Sequence, residues 1–183
     1  ARAKPSGDGL RRGLALLGAR PEEALFVGDS LSILLAARDA GVRVAIADFG
    51  AGYSSFGYLK GLSVDALKLD GSLVKDAAKT MAGVAILGAL GGLVRNLGMK
   101  SVGEFAEDLQ TIKALVAAGV DYAQGYGISR PVAPERILAA RSAAEFIEDP
   151  AILEYVRQLQ GQPAPIPPAL AESIDEWACA TLH

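Results

Sequence analysis

Short apolar segments alternate with amphipathic ones along most of the chain. The segments ALFVGD (24–29) and VRVAIADF (42–49) are rich in residues that favour strands. Between them, LSILLAARDAG repeats leucine and alanine at helical spacing, and Gly41 suits the left-handed turn that ends a helix. The alternation continues through DALKLD, KSVGE and DYAQGY, with one long helix predicted from about Ala77 to Leu97 and another over EDLQTIKALVAAG.

Strands that alternate with helices and are apolar on both faces predict βαβ units and a parallel sheet. Five strands are predicted, whereas a closed (β/α)8 barrel has eight strands and typically about 250 residues. The pattern therefore predicts an α/β fold that is a partial TIM-type barrel, a doubly wound sheet or one piece of a larger protein. Residues 1–140 form the predicted α/β domain. Residues 141–183 form a carboxyl-terminal helical extension, with a proline-rich linker at 161–168.

Composition narrows the class of protein. A content of 51% hydrophobic and 21% charged residues is typical of a packed globular domain. A net charge of −3 leaves no basic surface for a nucleic-acid polymer. Because Cys179 and His183 are single in the sequence, an internal disulfide, a zinc cluster and a histidine triad are excluded within this chain. No signal peptide or membrane-spanning run is predicted, so we expect a cytoplasmic location.

Each predicted strand carries a polar residue near its carboxyl end. These strand-end residues are Asp29, Asp48, Lys68, Glu104 with Glu107 just beyond it, and Gln124. The carboxyl ends of parallel strands meet at one edge of a sheet, which is where ligands bind in such folds. Taken singly, each residue has a simpler interpretation: Asp48 caps the following loop, and Lys68 is a solvated or ion-paired lysine. Five such residues in successive units predict a site.

The chemistry of these side chains narrows the kind of site. Carboxylate and amide oxygens without histidine form a set of ligands that suits Mg²⁺, Mn²⁺ or Ca²⁺. A lysine beside several carboxylates is stabilised as a cation and can hold a water or a phosphate oxygen. The sequence thus predicts metal-assisted phosphoryl transfer or phosphodiester hydrolysis.

Three segments resemble the EAL domain family, the (β/α)8-barrel phosphodiesterases of cyclic di-GMP. They are DFGAGYSSFGYLKGLSVDALKLDGSLV, GMKSVGEFAE and DYAQGYGISRP, and the resemblance spans about residues 41–138. It implies a partial barrel and Mg²⁺ or Mn²⁺ as cofactor. It implies metal ligands at Asp48, Glu104 and Glu107, with Asp29 as a substitute ligand, and catalytic roles for Lys68, which positions the attacking water, and Glu107. It implies nucleotide contacts from Gln124, Gly125, Tyr126, Ser129, Arg130 and Pro131, and a coupling loop with Gly50, Gly52, Tyr53, Ser54 and Ser55.

The sequence departs from the family pattern at several positions. Ala47 stands where the family has the first of two adjacent aspartates, and Ala51 stands where it has a threonine. The family's signature Glu-Ala-Leu segment and a metal-binding asparagine belong to the amino-terminal half of the family domain, which the resemblance does not cover. We therefore expect a degenerate domain that acts in cyclic di-GMP binding or signalling, with hydrolysis weak or absent. Its expected partners are cyclic di-GMP and either a second copy or other signalling domains. The alternative is a non-catalytic interaction module.

The first 45 residues also resemble the carboxyl-terminal part of haloacid-dehalogenase-like hydrolases. Lys4 and Asp29 match that family's lysine and acidic motif, whereas Ile33 stands where a second acidic residue is usual. That resemblance implies a phosphatase fragment without its nucleophile. A simpler interpretation is that residues 22–30 replace the EAL-family strand that ends in a metal-binding glutamate, with Asp29 as the substitute.

Overall fold

Helices and strands alternate along the chain in a computed structural model that describes residues 6–51, 59 and 61–161. The strands are β1 (Leu25–Gly28), β2 (Arg43–Phe49), β3 (Ala66–Leu69), β4 (Lys100–Gly103) and β5 (Tyr122–Ala123). The helices are α1 (Asp8–Leu17), α2 (Leu31–Asp39), α3 (Gly71–Ala77), α4 (Met81–Asn96), α5 (Leu109–Ala117), α6 (Pro134–Ala139) and α7 (Pro150–Gln160), with short 3-10 helices at Pro21–Glu23 and Ala143–Phe146.

The five strands form one parallel sheet in the order β1-β2-β3-β4-β5, so that each strand pairs with the next one in the chain. Leu25 pairs with Arg43 at one side of the sheet, and Val102 pairs with Tyr122 at the other. The parallel sheet and its five strands confirm the sequence prediction. All five carboxyl ends lie at the same edge, where the predicted site residues follow.

The core lies between the sheet and its helices. Leu67 and Leu69 of β3 are fully buried, in one hydrophobic cluster with Val44 of β2, Leu87 of α4 and Leu115 of α5. Lys68 is only partly exposed on the opposite face, as the alternation of strand side chains predicts. The sheet is therefore apolar towards the helices, and it carries Lys68 on the other face.

The long helix predicted from about Ala77 to Leu97 is α4, which begins four residues later than predicted, at Met81. Helix α3 ends at Ala77, and α4 begins at Met81 because Thr80 caps it, its side chain accepting a hydrogen bond of 2.9 Å from the backbone N–H of Gly83. No helix in the described ranges is long and apolar enough to cross a membrane. The cytoplasmic location stays a prediction.

The carboxyl-terminal helix α7 packs on the same core. Pro150 is its first residue, and the Asp149 side chain caps it by accepting a 2.8 Å hydrogen bond from the backbone N–H of Ala151. Ile152 and Val156 are buried within the main hydrophobic cluster. The division at residue 140 stays a prediction, and the linker beyond Gly161, together with Trp177, lies outside the described residues.

Candidate functional site

The end of β2 is irregular where Asp48 stands. Regular alternation from Val44 and Ile46 predicts Asp48 on the buried face, and this prediction is wrong, because the register with β3 shifts between Ile46 and Phe49. Asp48 has a φ of 51° and is exposed, whereas Phe49 is buried. A short polar side chain is among the residues that tolerate this left-handed conformation. The irregularity directs the carboxylate out of the core, over the carboxyl edge of the sheet.

Three carboxylates converge at that edge. Asp48, Asp70 and Glu104 each place one oxygen within 4.8 Å of the others, and they follow the adjacent strands β2, β3 and β4. Three hard oxygen donors fit a divalent cation such as Mg²⁺ or Mn²⁺. The sequence analysis missed Asp70, although it occupies the same strand-end position in DALKLD that singled out the other candidates.

Asp70 also caps helix α3. One of its carboxylate oxygens accepts a hydrogen bond from the backbone N–H of Ser72 at 2.9 Å and another from the Ser72 hydroxyl. The hydroxyl hydrogen bond is the main cause that lowers the pKa of the Asp70 carboxyl below its ordinary value, with smaller contributions from backbone N–H groups and the charge of Lys75. Asp70 is therefore ionised near neutral pH, as a cation ligand must be.

Lys68 and Glu104 form an ion pair in the middle of the site. The Lys68 ammonium donates a hydrogen bond to a Glu104 carboxylate oxygen, and the Glu104 residue is only 7% exposed. The backbone N–H of Glu104 donates to the carbonyl of Leu69 at 3.1 Å, which fixes the glutamate where β3 and β4 end. A carboxylate this buried needs a compensating charge, and Lys68 supplies it.

A cavity of about 280 Å³ opens beside the carboxylates. Its lining residues come from the segments after β4 and β5, and they are Glu104, Phe105, Glu107, Gln124, Gly125 and Tyr126. Glu104 belongs to both the acidic cluster and the cavity wall, so a ligand in the cavity lies next to the candidate cation site. The volume falls slightly below the roughly 300–1,000 Å³ of most small-molecule pockets. It suits one part of a larger ligand.

Backbone hydrogen bonds hold the two cavity segments together. Ala106 N–H donates to the Gln124 carbonyl at 3.0 Å, and Gly127 N–H donates to the Ala106 carbonyl at 2.9 Å. A side chain at Gly125 would overlap the backbone of Ala106. Glycine is required there because the segments pass so close to one another, and the cavity shape depends on it.

The remaining predicted residues are placed as follows. Arg130 lies over the Tyr126 ring at 4.8 Å and its carbonyl accepts a hydrogen bond from the Ser129 hydroxyl, whereas Pro131 is exposed. Gly50, with a φ of 100°, packs against Leu73. Asp29, after the edge strand β1, is not in the group of three carboxylates, and neither is Glu107, which lines the cavity instead. Their assigned roles stay predictions. Gly52, Tyr53, Ser54, Ser55 and Lys4 lie outside the described residues, so the dehalogenase resemblance stays a prediction too.

Comparison with known proteins identifies the family to which this chain belongs. The family described as EAL domain matches residues 22–131, more than half of the chain, and the match includes β1 and Asp29. Cyclic di-GMP phosphodiesterase PdeB of Shewanella oneidensis is 40% identical over 101 residues, which are 55% of this chain and 12% of that protein. Cyclic di-GMP phosphodiesterase PA2567 of Pseudomonas aeruginosa is 40% identical over 106 residues, which are 58% of this chain and 18% of that protein. The chain thus spans less than a fifth of these relatives.

Solved structures of similar fold include one that is named as an EAL domain protein. The EAL domain protein of Listeria monocytogenes superimposes with a TM-score of 0.60 at 32% identity, over 72% of this chain and 56% of that one. The PaMucR phosphodiesterase in complex with cyclic di-GMP gives a TM-score of 0.61 at 31% identity, over 71% of this chain and 57% of that one. BlrP1 of Klebsiella pneumoniae, in complex with manganese and cyclic di-GMP, gives a TM-score of 0.60 at 32% identity. That superposition covers 67% of this chain and 34% of BlrP1. EAL domains have a TIM-type barrel fold, which confirms the predicted fold class.

Proposed function

This chain belongs to the EAL domain family, and on that premise we propose that it binds cyclic di-GMP together with a divalent cation at the carboxyl edge of its sheet. The observation that carries the proposal is the convergence of Asp48, Asp70 and Glu104 beside a cavity, with Lys68 paired to the buried glutamate. The relatives named as cyclic di-GMP phosphodiesterases support the choice of ligand.

The three carboxylates would hold Mg²⁺ or Mn²⁺. The bound cation would supply positive charge for the phosphodiester oxygens of the ligand. Lys68 adds a second positive charge at the same edge and keeps the Glu104 side chain oriented. The cavity lined by Gln124 and Tyr126 receives the part of the nucleotide next to the phosphate. A second copy or other signalling domains as partners stay predictions.

Binding without efficient hydrolysis is the second part of the proposal. Ala47, next to Asp48, offers no oxygen ligand at the position where the family motif has an aspartate. A two-metal site stabilises both the attacking and the leaving oxygen, so that a missing carboxylate weakens that stabilisation. Asp70 belongs to the acidic group and Asp29 does not, which leaves one compact group of three carboxylates in the described ranges.

Calorimetric titration of cyclic di-GMP into the 183-residue chain tests the first part, with Mg²⁺, with Mn²⁺ and without metal. We expect binding that depends on metal and is weakened about 10-fold or more by Lys68→Gln, the order expected for loss of one charge-assisted contact. Lys79→Gln, an exposed lysine between α3 and α4, is the matched control and leaves the affinity unchanged. Absence of binding by the parent chain would refute the proposal and favour an interaction module.

Formation of the linear dinucleotide tests the second part. We expect slow or no turnover by the parent, whereas Ala47→Asp restores a carboxylate beside Asp48 and raises the metal affinity. Robust turnover by the parent, abolished by Lys68→Ala, would overturn the view that the site binds without efficient hydrolysis.

A further inference from the structure

Phe105 has an unusual conformation for an aromatic residue. It lies between Glu104 and Glu107 in the segment after β4, with a φ of 57°, and it is 47% exposed. Apart from Asp48 it is the only non-glycine residue in the described ranges with a positive φ. A bulky side chain in this region costs free energy, and such outliers cluster at sites where a ligand is held. Its half-exposed ring recovers only part of that cost by burial.

Helix α3 holds the Phe105 ring in one orientation. A side chain at Gly71 would overlap the ring, so the ring lies directly against the first residue of that helix. One turn later, the Lys75 ammonium lies 4.3 Å from the ring centroid, within the range of a cation–π interaction. Both contacts come from α3. These contacts orient the ring, and the residue nevertheless remains 47% exposed.

Phe105 is also one of the residues that line the 280 Å³ cavity. Gln124 and Tyr126 line the same cavity. Glu104 lines it too, and Glu104 also belongs to the acidic cluster with Asp48 and Asp70. A planar ligand in the cavity therefore meets an aromatic surface on one side and has the cation site within reach of its phosphate. Aromatic side chains that are rigid and half-exposed are stacking platforms for nucleic-acid bases.

We propose that Phe105, held by Gly71 and Lys75, is a stacking platform for one purine base of the bound dinucleotide. This inference rests on the proposed function and deepens it by assigning a residue that selects for the base. The strained backbone is what projects the ring from the wall towards the ligand. A purine offers a larger π surface than a pyrimidine, so the platform favours purine ligands over pyrimidine ligands.

Titration of cyclic di-GMP into Phe105→Leu and Phe105→Tyr, with Mn²⁺ present, tests this assignment. We expect Phe105→Leu to weaken binding by about 5-fold to 150-fold, the range of base–aromatic stacking. Phe105→Tyr keeps the ring and retains affinity within about 2-fold. Phe146→Leu is the matched control, because that ring also lies under a cation, Arg136 at 5.6 Å, away from the cavity. It leaves binding unchanged.

Two further measurements separate stacking from a structural role. The Mn²⁺-induced rise in melting temperature reports the cation site alone, and we expect Phe105→Leu to leave it unchanged. Cyclic di-UMP, which has pyrimidine bases, should bind the parent more weakly than cyclic di-GMP and respond less to Phe105→Leu. If Phe105→Leu binds cyclic di-GMP as the parent does, the platform is refuted while the proposed function stands. If Phe105→Leu also abolishes the Mn²⁺ effect, Phe105 supports the fold and the platform is again refuted. If the parent binds no cyclic di-GMP, both proposals fall.

Discussion

Replacing Asp70 by Asn should destabilise the protein more in the presence of a divalent cation than in its absence. The substitution removes one negative charge from the cluster formed with Asp48 and Glu104, and the asparagine still caps α3 because its side-chain oxygen accepts from the backbone N–H of Ser72. In the metal-free protein the cluster loses two like-charge repulsions, but residue 70 also loses the charge that Ser72 and Lys75 stabilise. A lowered pKa means that the fold favours the ionised carboxylate, so we expect Asp70→Asn to be no more stable than the parent before metal is added.

The size of the effect follows from the geometry. Two unit charges at 4.8 Å repel by about 1 kcal/mol in water and about 3 kcal/mol at an effective dielectric constant near 20. Because Asp48 is exposed and Lys68 pairs with Glu104, the lower figure applies. For a chain of this size, 1 kcal/mol shifts the melting temperature by about 2–4 °C. Metal at 100 times its dissociation constant stabilises the parent by about 2.7 kcal/mol.

Thermal unfolding of the parent and of Asp70→Asn, each with and without millimolar Mn²⁺, measures how the substitution changes the stability of the metal-free protein and how it changes the stabilisation by metal. Without metal the variant should melt at, or up to about 4 °C below, the melting temperature of the parent, because the relieved repulsion partly offsets the lost contacts of the ionised Asp70. With Mn²⁺ this difference should widen, because the loss of one oxygen ligand lowers the metal affinity. Asp149→Asn is the matched control, since Asp149 caps α7 in the same way and lies outside the acidic group. Equal metal-induced shifts in the parent and Asp70→Asn would refute the reasoning.

Two further predictions concern the fold. Gly125→Ala should destabilise the protein by about 1–3 kcal/mol because the new methyl overlaps the Ala106 backbone, whereas Gly92→Ala, within α4 and with no atom within 4 Å, should stabilise it by about 0.5–1 kcal/mol. Urea denaturation measures the free energy of unfolding of both variants. A change of the same sign in both would contradict the prediction. Asp39 accepts a hydrogen bond from the backbone N–H of Gly7 at 2.7 Å, which lowers the pKa of its carboxyl. Asp39→Asn should therefore destabilise the fold at neutral pH, and the difference should vanish as pH falls through the folded-state pKa. A difference that is unchanged down to pH 3 would contradict this.

The parts of the fold that depend on local patterns could be predicted from the sequence. Strand β2 and helix α5 follow from periodicity over a few residues, and Gly41 and Gly119 end helices with φ values of 78° and 67° as such glycines do. The start of α4 was predicted too early, although threonine is a common helix cap and Thr80 caps α4 by accepting from the backbone N–H of Gly83. Helix-forming residues stand on both sides of Thr80 in DAAKTMA, so the helical pattern runs through this cap.

The site was predictable in its location and less so in its composition. Lys68 and Glu104 follow from their strand-end positions, and the structure pairs them. Asp48 leaves the expected face because the register shifts at the end of β2, which is a property of the pairing with β3 and not of either segment alone. The conformation of Phe105 depends on contacts with Gly71 and Lys75 of α3, 34 and 30 residues earlier in the chain. Long-range contacts of this kind leave no periodic trace in a sequence.

The chain-order pairing of the strands also determines how the protein can be assembled during synthesis. Leu25 pairs with Arg43 and Val102 with Tyr122, so that the partner of each strand from β2 onwards has already left the ribosome about 20–35 residues earlier. At about 5–20 residues per second, each new strand follows its predecessor within seconds. The sheet can grow in one direction by adding a strand to its newest edge. Glu104 and Gln124 follow β4 and β5, the last two strands of the described sheet to be synthesised. The candidate site is therefore completed only when β5 has been added.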